Sequence, residues 1–217
     1  MARPSKRDLA RTLLRTHGRT FAEELRIPIA RNTPAPLFQL LYASLLFSAR
    51  ISAENAAEAA RALIDAGLTT PRKMAGATWQ ERVDVITWHG YKRYDERTAT
   101  MLGDMAERAC KEYGGDLRRL RDEARRDPKR ERELLQRFKG IGPVGADIFL
   151  REIQGVWREV YPYADGKVLK AAGRLGLGDS ASDLTGLVAR RDFPRLVAAL
   201  VRVDLEKAYD EVRSQAA

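Results

Sequence analysis

The sequence predicts an all-α protein. Apolar residues recur at helical spacing along almost the whole chain, and no segment has the strict alternation of a half-buried strand. The punctuation between these stretches is also that of helices, with Ser, Thr, Asp or Pro at the starts and Gly at the stops.

In chain order, the first 33 residues read as a helical segment. Pro36–Phe47 is almost wholly apolar and too long for a buried strand, so it reads as a central helix. The next helix has Ser52 as N-cap, Ala56, Ala57, Ala60, Leu63 and Ile64 on one face, and Gly67 as terminator. Thr70-Pro71 and the capping-box pattern Thr78-Trp79-Gln80-Glu81 open two more helices. After Asp95, one face carries Thr98, Leu102, Met105, Ala106, Ala109 and Tyr113, and the helix stops at Gly114-Gly115. Between Arg118 and Lys139 there are ten basic and five acidic residues. Such a run is usually a solvated face laced with ion pairs. Three helices follow, at Pro143–Ile153, Gly166–Leu175 and Pro194–Val212. The last places Leu196, Val197, Leu200, Val201, Leu205, Ala208 and Val212 at helical spacing.

Composition narrows the functional classes. The chain has 217 residues, 44% hydrophobic and 32% charged, which suits a soluble globular protein with a real core. No apolar run spans a bilayer, and the basic N-terminus lacks a secretory apolar stretch, so a cytoplasmic protein is expected, nucleoid-associated if bacterial. The single cysteine, Cys110, rules out a disulfide framework or a four-cysteine metal or iron–sulfur site within one chain, and reads as a small buried hydrophobe. The two histidines, His17 and His89, show no ligand spacing, and no metal or cofactor is expected. A formal charge of +9 predisposes the protein to polyanions.

The informative segment is Leu134-Leu135-Gln136-Arg137-Phe138-Lys139-Gly140-Ile141-Gly142-Pro143-Val144-Gly145-Ala146-Asp147-Ile148. An amphipathic helix runs to Phe138, two glycines flank an apolar residue, and Pro143 opens the next helix. Glycines let backbone amides approach an anion closely, and the N-terminus of the second helix aims its dipole at the same point. Ile141 between the glycines and small Ala146 at a helix contact sharpen the pattern to a helix-hairpin-helix. Its natural ligand is a DNA phosphate, held by Lys139 and the backbone of Gly140, Ile141, Gly142, Val144 and Gly145.

Twenty-one residues past Val144, within Tyr161-Pro162-Tyr163-Ala164-Asp165-Gly166-Lys167-Val168, comes Asp165. Hairpin, Gly/Pro-rich loop and aspartate together resemble the module of the endonuclease III and MutY DNA glycosylases. Leu40–Arg50 is similar to the first barrel helix of that family, and His89-Gly90-Tyr91-Lys92-Arg93-Tyr94 to its Gly-aromatic loop. The resemblance spans roughly residues 34–177. It implies a two-lobed helical DNA glycosylase fold: residues 1–33 packing on the C-terminal lobe, 34–132 forming a helical barrel lobe, and 133–217 holding the hairpin and C-terminal helices. It implies that Asp165 is the catalytic carboxylate, and that the partner is double-stranded DNA containing a damaged or mismatched base, bound by a monomer. Arg50 falls near the gap in the duplex, and Tyr91, Tyr94 and Tyr163 are candidates to stack on a flipped base.

Two departures qualify the resemblance. Bifunctional members carry a nucleophilic lysine where this chain has Val144, which implies a monofunctional enzyme releasing the base with water. The four-cysteine cluster loop common in the family is absent. Alternatives stay open. Asp165 before Gly-Lys-Val-Leu is also a good N-cap. Lys139 or Lys167 could supply an unconventional lyase nucleophile. The chain could also be a DNA-structure binder without chemistry, or a helical protein-interaction module.

Overall fold

The computed structural model describes residues 4–87 and 95–216, and all regular structure among them is helical. The helices are α1 (Lys6–His17), α2 (Phe21–Glu24), α3 (Pro34–Phe47), α4 (Ala53–Asp65), α5 (Pro71–Gly76), α6 (Trp79–Thr87) and α7 (Asp95–Tyr113). They continue with α8 (Arg118–Glu123), α9 (Pro128–Leu135), α10 (Pro143–Ile153), α11 (Gly166–Leu175), α12 (Ala181–Thr185), α13 (Phe193–Glu206) and α14 (Tyr209–Ala216). Among the described residues no helix is long and apolar enough to cross a membrane.

The chain forms two compact units. One is Leu25–Leu150; the other joins Met1–Glu24 to Arg151–Ala217. The divisions fall after Glu24 and Leu150 rather than at residues 33 and 132. The hairpin therefore belongs to the central unit, because Gly140 lies against Leu45 of α3 and Met101 of α7.

In the central unit α3 packs on α4, α4 on α6, and both α5 and α6 on α7. Every residue of α3 from Pro36 to Leu46 is buried, which explains its unbroken apolar sequence. The expected caps form. Ser52 accepts from the Asn55 amide, while Thr78 and Glu81 exchange bonds of 2.7 and 3.1 Å between side chain and backbone. One polar side chain is pulled inside: Arg82 donates to the carbonyls of Met74, Ala77 and Ala99, tying α5, α6 and α7 together.

In the second unit α1 packs on α13 and α14, and α11 on α13. Arg195 donates to the Gly18 carbonyl at 2.7 Å, Arg202 donates to the Arg19 carbonyl at 2.8 Å, and Arg202 also pairs with Glu24. The N-terminal segment is thereby fastened to the C-terminal helices.

Several expectations are corrected. The helix expected at Pro194–Val212 is two helices, because Lys207 takes a left-handed φ of 58° and the Ala208 amide turns back to Val203. The break leaves Leu205 45% exposed, and Val203 points inward instead. The charged run before the hairpin forms two helices, α8 and α9, separated by a break at Arg125 and Arg126, where φ is 54° and 57°. The helix leading into the hairpin ends at Leu135, and tight turns carry the chain on to Phe138. Cys110 is partly exposed rather than buried.

Glu152, at the end of α10, is 4% exposed and accepts from the amides of Phe21 (3.2 Å) and Ala22 (2.8 Å). Burial raises its carboxyl above the ordinary 4.5, and the two amides with nearby Arg151 and Arg202 pull it part of the way back. An upward shift means that the folded state favours the neutral acid. Its contribution is full below the unfolded value and is lost as pH rises through the folded one. Glu152→Gln cannot titrate, so its stability deficit against wild type is expected to narrow as pH rises from about 4.5 to neutrality. Urea unfolding at a series of pH values checks this. A pH-independent deficit would contradict it.

Candidate functional site

The hairpin in the central unit is built from the inside outward. Phe138, Ile141 and Ala146 are at most 3% exposed and form its buried side. Gly140 has a φ of +89°, which strains any side chain, and a Cβ there would sit 2.5 Å from Met101 Sδ and 2.7 Å from Leu45 Cδ1. Arg108 on α7 supports the approach to the turn, donating to the Arg137 carbonyl at 2.6 Å.

The outer side is open. A Cβ on Gly142 would meet nothing within 4 Å, and Val144 is 60% exposed. The Ala146 amide makes the first bond of α10, to the Gly142 carbonyl at 3.0 Å, so the Val144 and Gly145 amides lie outside the helical ladder. An anion placed here would meet backbone donors at the positive end of an eleven-residue helix. Lys139, expected to hold the phosphate, instead pairs with Asp104 at 2.5 Å on the surface. Exposed pairs of this kind are worth about 0–1 kcal/mol, so the lysine can be exchanged onto a phosphate at little cost.

Beside the hairpin lies a groove of about 460 Å³ lined by Leu45, Arg50, Arg97, Met101 and Gly140, among others. The structure therefore brings Arg50 to the hairpin, with a second arginine, Arg97, that the sequence pattern did not single out. Among the described residues neither guanidinium has an ion-pair partner. Much of the charged run is otherwise engaged, Arg130 with Glu133, Arg132 with Asp147 and Arg137 with Glu123.

The second unit contains Asp165, whose side chain is 9% exposed. It caps α11: Oδ1 accepts from the Lys167 amide at 2.8 Å and the Val168 amide at 3.4 Å. Oδ2 lies 3.1 Å from Nη1 of Arg151, whose side chain is 7% exposed. This oxygen is buried and has charge contact but no aligned hydrogen bond among the described residues. Capping and ion pairing thus coexist at one carboxylate.

The loop before it is pinned by Gln154, which accepts from the Tyr163 amide at 2.9 Å and donates to the Tyr163 carbonyl at 3.1 Å. Tyr163 is half-buried, while Tyr91 and Tyr94 lie outside the described residues. Arg151 and Gln154 were missed from sequence, although charged and polar residues beside Phe149, Leu150 and Ile153 were a visible anomaly in an apolar stretch. Among the described residues no three His, Cys, Asp or Glu side chains converge as a metal site would require.

No protein-family model and no curated protein sequence matches the chain. Solved structures do. One is a trapped covalent intermediate of endonuclease III with DNA, an estranged-adenine complex, at 19% identity and a TM-score of 0.50, covering 77% of this chain and 73% of that one. Another is a non-covalent endonuclease III–DNA complex at 19% identity and a TM-score of 0.51, covering 77% and 72%. The helical architecture expected from the hairpin and aspartate pattern is thus the observed one, and this chain has the fold of endonuclease III.

Proposed function

We propose that the protein is a monofunctional DNA glycosylase of base-excision repair, hydrolysing the bond between a damaged base and its sugar. The observation that carries this reading is Asp165, a buried carboxylate with one oxygen on the amides of α11 and the other in charge contact with Arg151, following a glycine hairpin in an endonuclease III fold. Glycosidic cleavage builds positive charge on the sugar, and a fixed carboxylate stabilises that charge or activates the attacking water. The hairpin amides and Lys139 position one phosphate of the duplex without reading its sequence. Val144 stands where a lyase lysine would, and its isopropyl group cannot form a Schiff base. The reaction needs only water, acts on duplex DNA carrying a damaged base flipped from the stack, and uses no cofactor.

One observation favours a second reading. The Arg151 guanidinium partly neutralises Asp165, and a capped, neutralised aspartate suits a DNA-structure binder that performs no chemistry.

Duplexes carrying uracil, 8-oxoguanine, oxidised pyrimidines, hypoxanthine or alkylated adenine separate the readings. Base release followed by strand breakage only after hot alkali is expected on at least one of them. Breakage without alkali, with a borohydride-trapped adduct, would mean lyase chemistry from Lys167 or Lys139. Salt-sensitive binding with no release on any substrate would favour the non-catalytic binder.

A further inference from the structure

We infer that Arg151 is a positioning residue for the reaction, fixing the plane of the Asp165 carboxylate. This rests on the glycosylase reading of Asp165. A helix cap alone requires only part of the geometry around this residue. The Lys167 and Val168 amides already satisfy Oδ1, and an N-cap aspartate can leave its other oxygen to water. Here that oxygen is buried, and a guanidinium is buried with it at 3.1 Å.

Burying an ion pair is a poor way to gain stability. The desolvation of two charges offsets most of their attraction, and a pair of well-packed apolar side chains in place of both partners would serve the fold as well or better. The neighbouring polar residues are occupied elsewhere. Glu152 holds the amides of Phe21 and Ala22, and Gln154 holds both backbone groups of Tyr163. Of these three side chains Arg151 alone reaches the carboxylate. The Oδ1 bonds from the start of α11 and the charge contact of Arg151 with Oδ2 act on the same Cβ–Cγ torsion of the rigid carboxylate and narrow its range together. Without the guanidinium that torsion rests on the two Oδ1 bonds alone, one of them long at 3.4 Å. A carboxylate acting on one face of a sugar loses rate steeply with small displacements.

The guanidinium does not touch DNA in this scheme, so its removal should affect the chemical step and not binding. Arg151→Met is expected to slow single-turnover base release about a hundredfold, with the dissociation constant for lesion-bearing duplex unchanged within about twofold. Arg151→Lys is expected to recover a substantial part of the rate, since an ammonium supplies the charge but only a single-point contact. Thermal unfolding of each variant is measured alongside, so that a rate loss caused by unfolding is recognised. Three results would overturn the proposal: Arg151→Met within about threefold of wild type, a rate loss matched by an equal loss of binding or of folded protein, or Arg151→Lys no faster than Arg151→Met. Asp165→Asn runs in the same series. Full release by Asp165→Asn, or no release by wild type on any lesion, means that the glycosylase reading of Asp165 is wrong, and the positioning role falls with it. An inactive Asp165→Asn beside a fully active Arg151→Met overturns the positioning role alone.

Discussion

Asp165→Asn is expected to reduce base release about a thousandfold while duplex affinity stays within about threefold of wild type. Asparagine keeps an oxygen for the Lys167 and Val168 amides and is as good a cap as aspartate, so α11 should start normally. What disappears is the negative charge, and with it the group that meets positive charge developing on the sugar. The substitution also leaves the buried Arg151 guanidinium without its counter-charge, which costs about 3 kcal/mol. The expected signature is therefore a loss of activity together with a lower unfolding midpoint in urea. Adding Arg151→Met to Asp165→Asn removes the orphaned charge and should restore much of the stability but none of the rate. If Asp165→Asn releases the base at the wild-type rate, the carboxylate is a cap and nothing more.

Gly140→Ala is expected to destabilise the protein by about 1–2 kcal/mol, chiefly because the backbone conformation is hostile to L-residues. At φ +89° the new methyl would also press on the side-chain ends of buried Leu45 and half-buried Met101. Relief of the strained φ shifts the turn, and the hairpin amides shift with it, so duplex binding should fall as well. Gly142→Ala is the informative contrast. Its Cβ enters open space, so folding should be unaffected, yet the methyl would stand on the outer side of the turn where a phosphate would approach. A loss of about tenfold in affinity with unchanged stability is expected there, since each 1.4 kcal/mol is a factor of ten. Urea unfolding and salt-dependent DNA titrations on both variants check the pair. Equal behaviour of the two would mean that the glycines do not divide the work between packing and approach.

Much of this was legible along the chain. Helix starts at Ser52, Thr78 and Pro143 were readable because capping depends on residues three or four positions apart. The hairpin was readable for the same reason: Gly140, Ile141, Gly142 and Pro143 are neighbours, and their backbone preferences are local. The break at Lys207 was not, because a lysine carries no glycine-like signal for its left-handed φ of 58°. The same holds at Arg125 and Arg126, where two arginines occupy a conformation that sequence propensity assigns to glycine or asparagine.

The candidate site divides along the same line. The sequence by itself determined an all-helical protein, the position of the glycine turn and the aspartate that follows it, since each is written in residues close together in the chain. Only the tertiary structure decided that Gly140 is locked against Leu45 and Met101, that Lys139 is paired with Asp104, and that Arg50 and Arg97 share a groove with the hairpin. It also decided that Arg151 of α10 meets Asp165 at the start of α11. Such contacts depend on how helices pack at a distance, and packing is set by the sum of many side-chain volumes rather than by any local pattern.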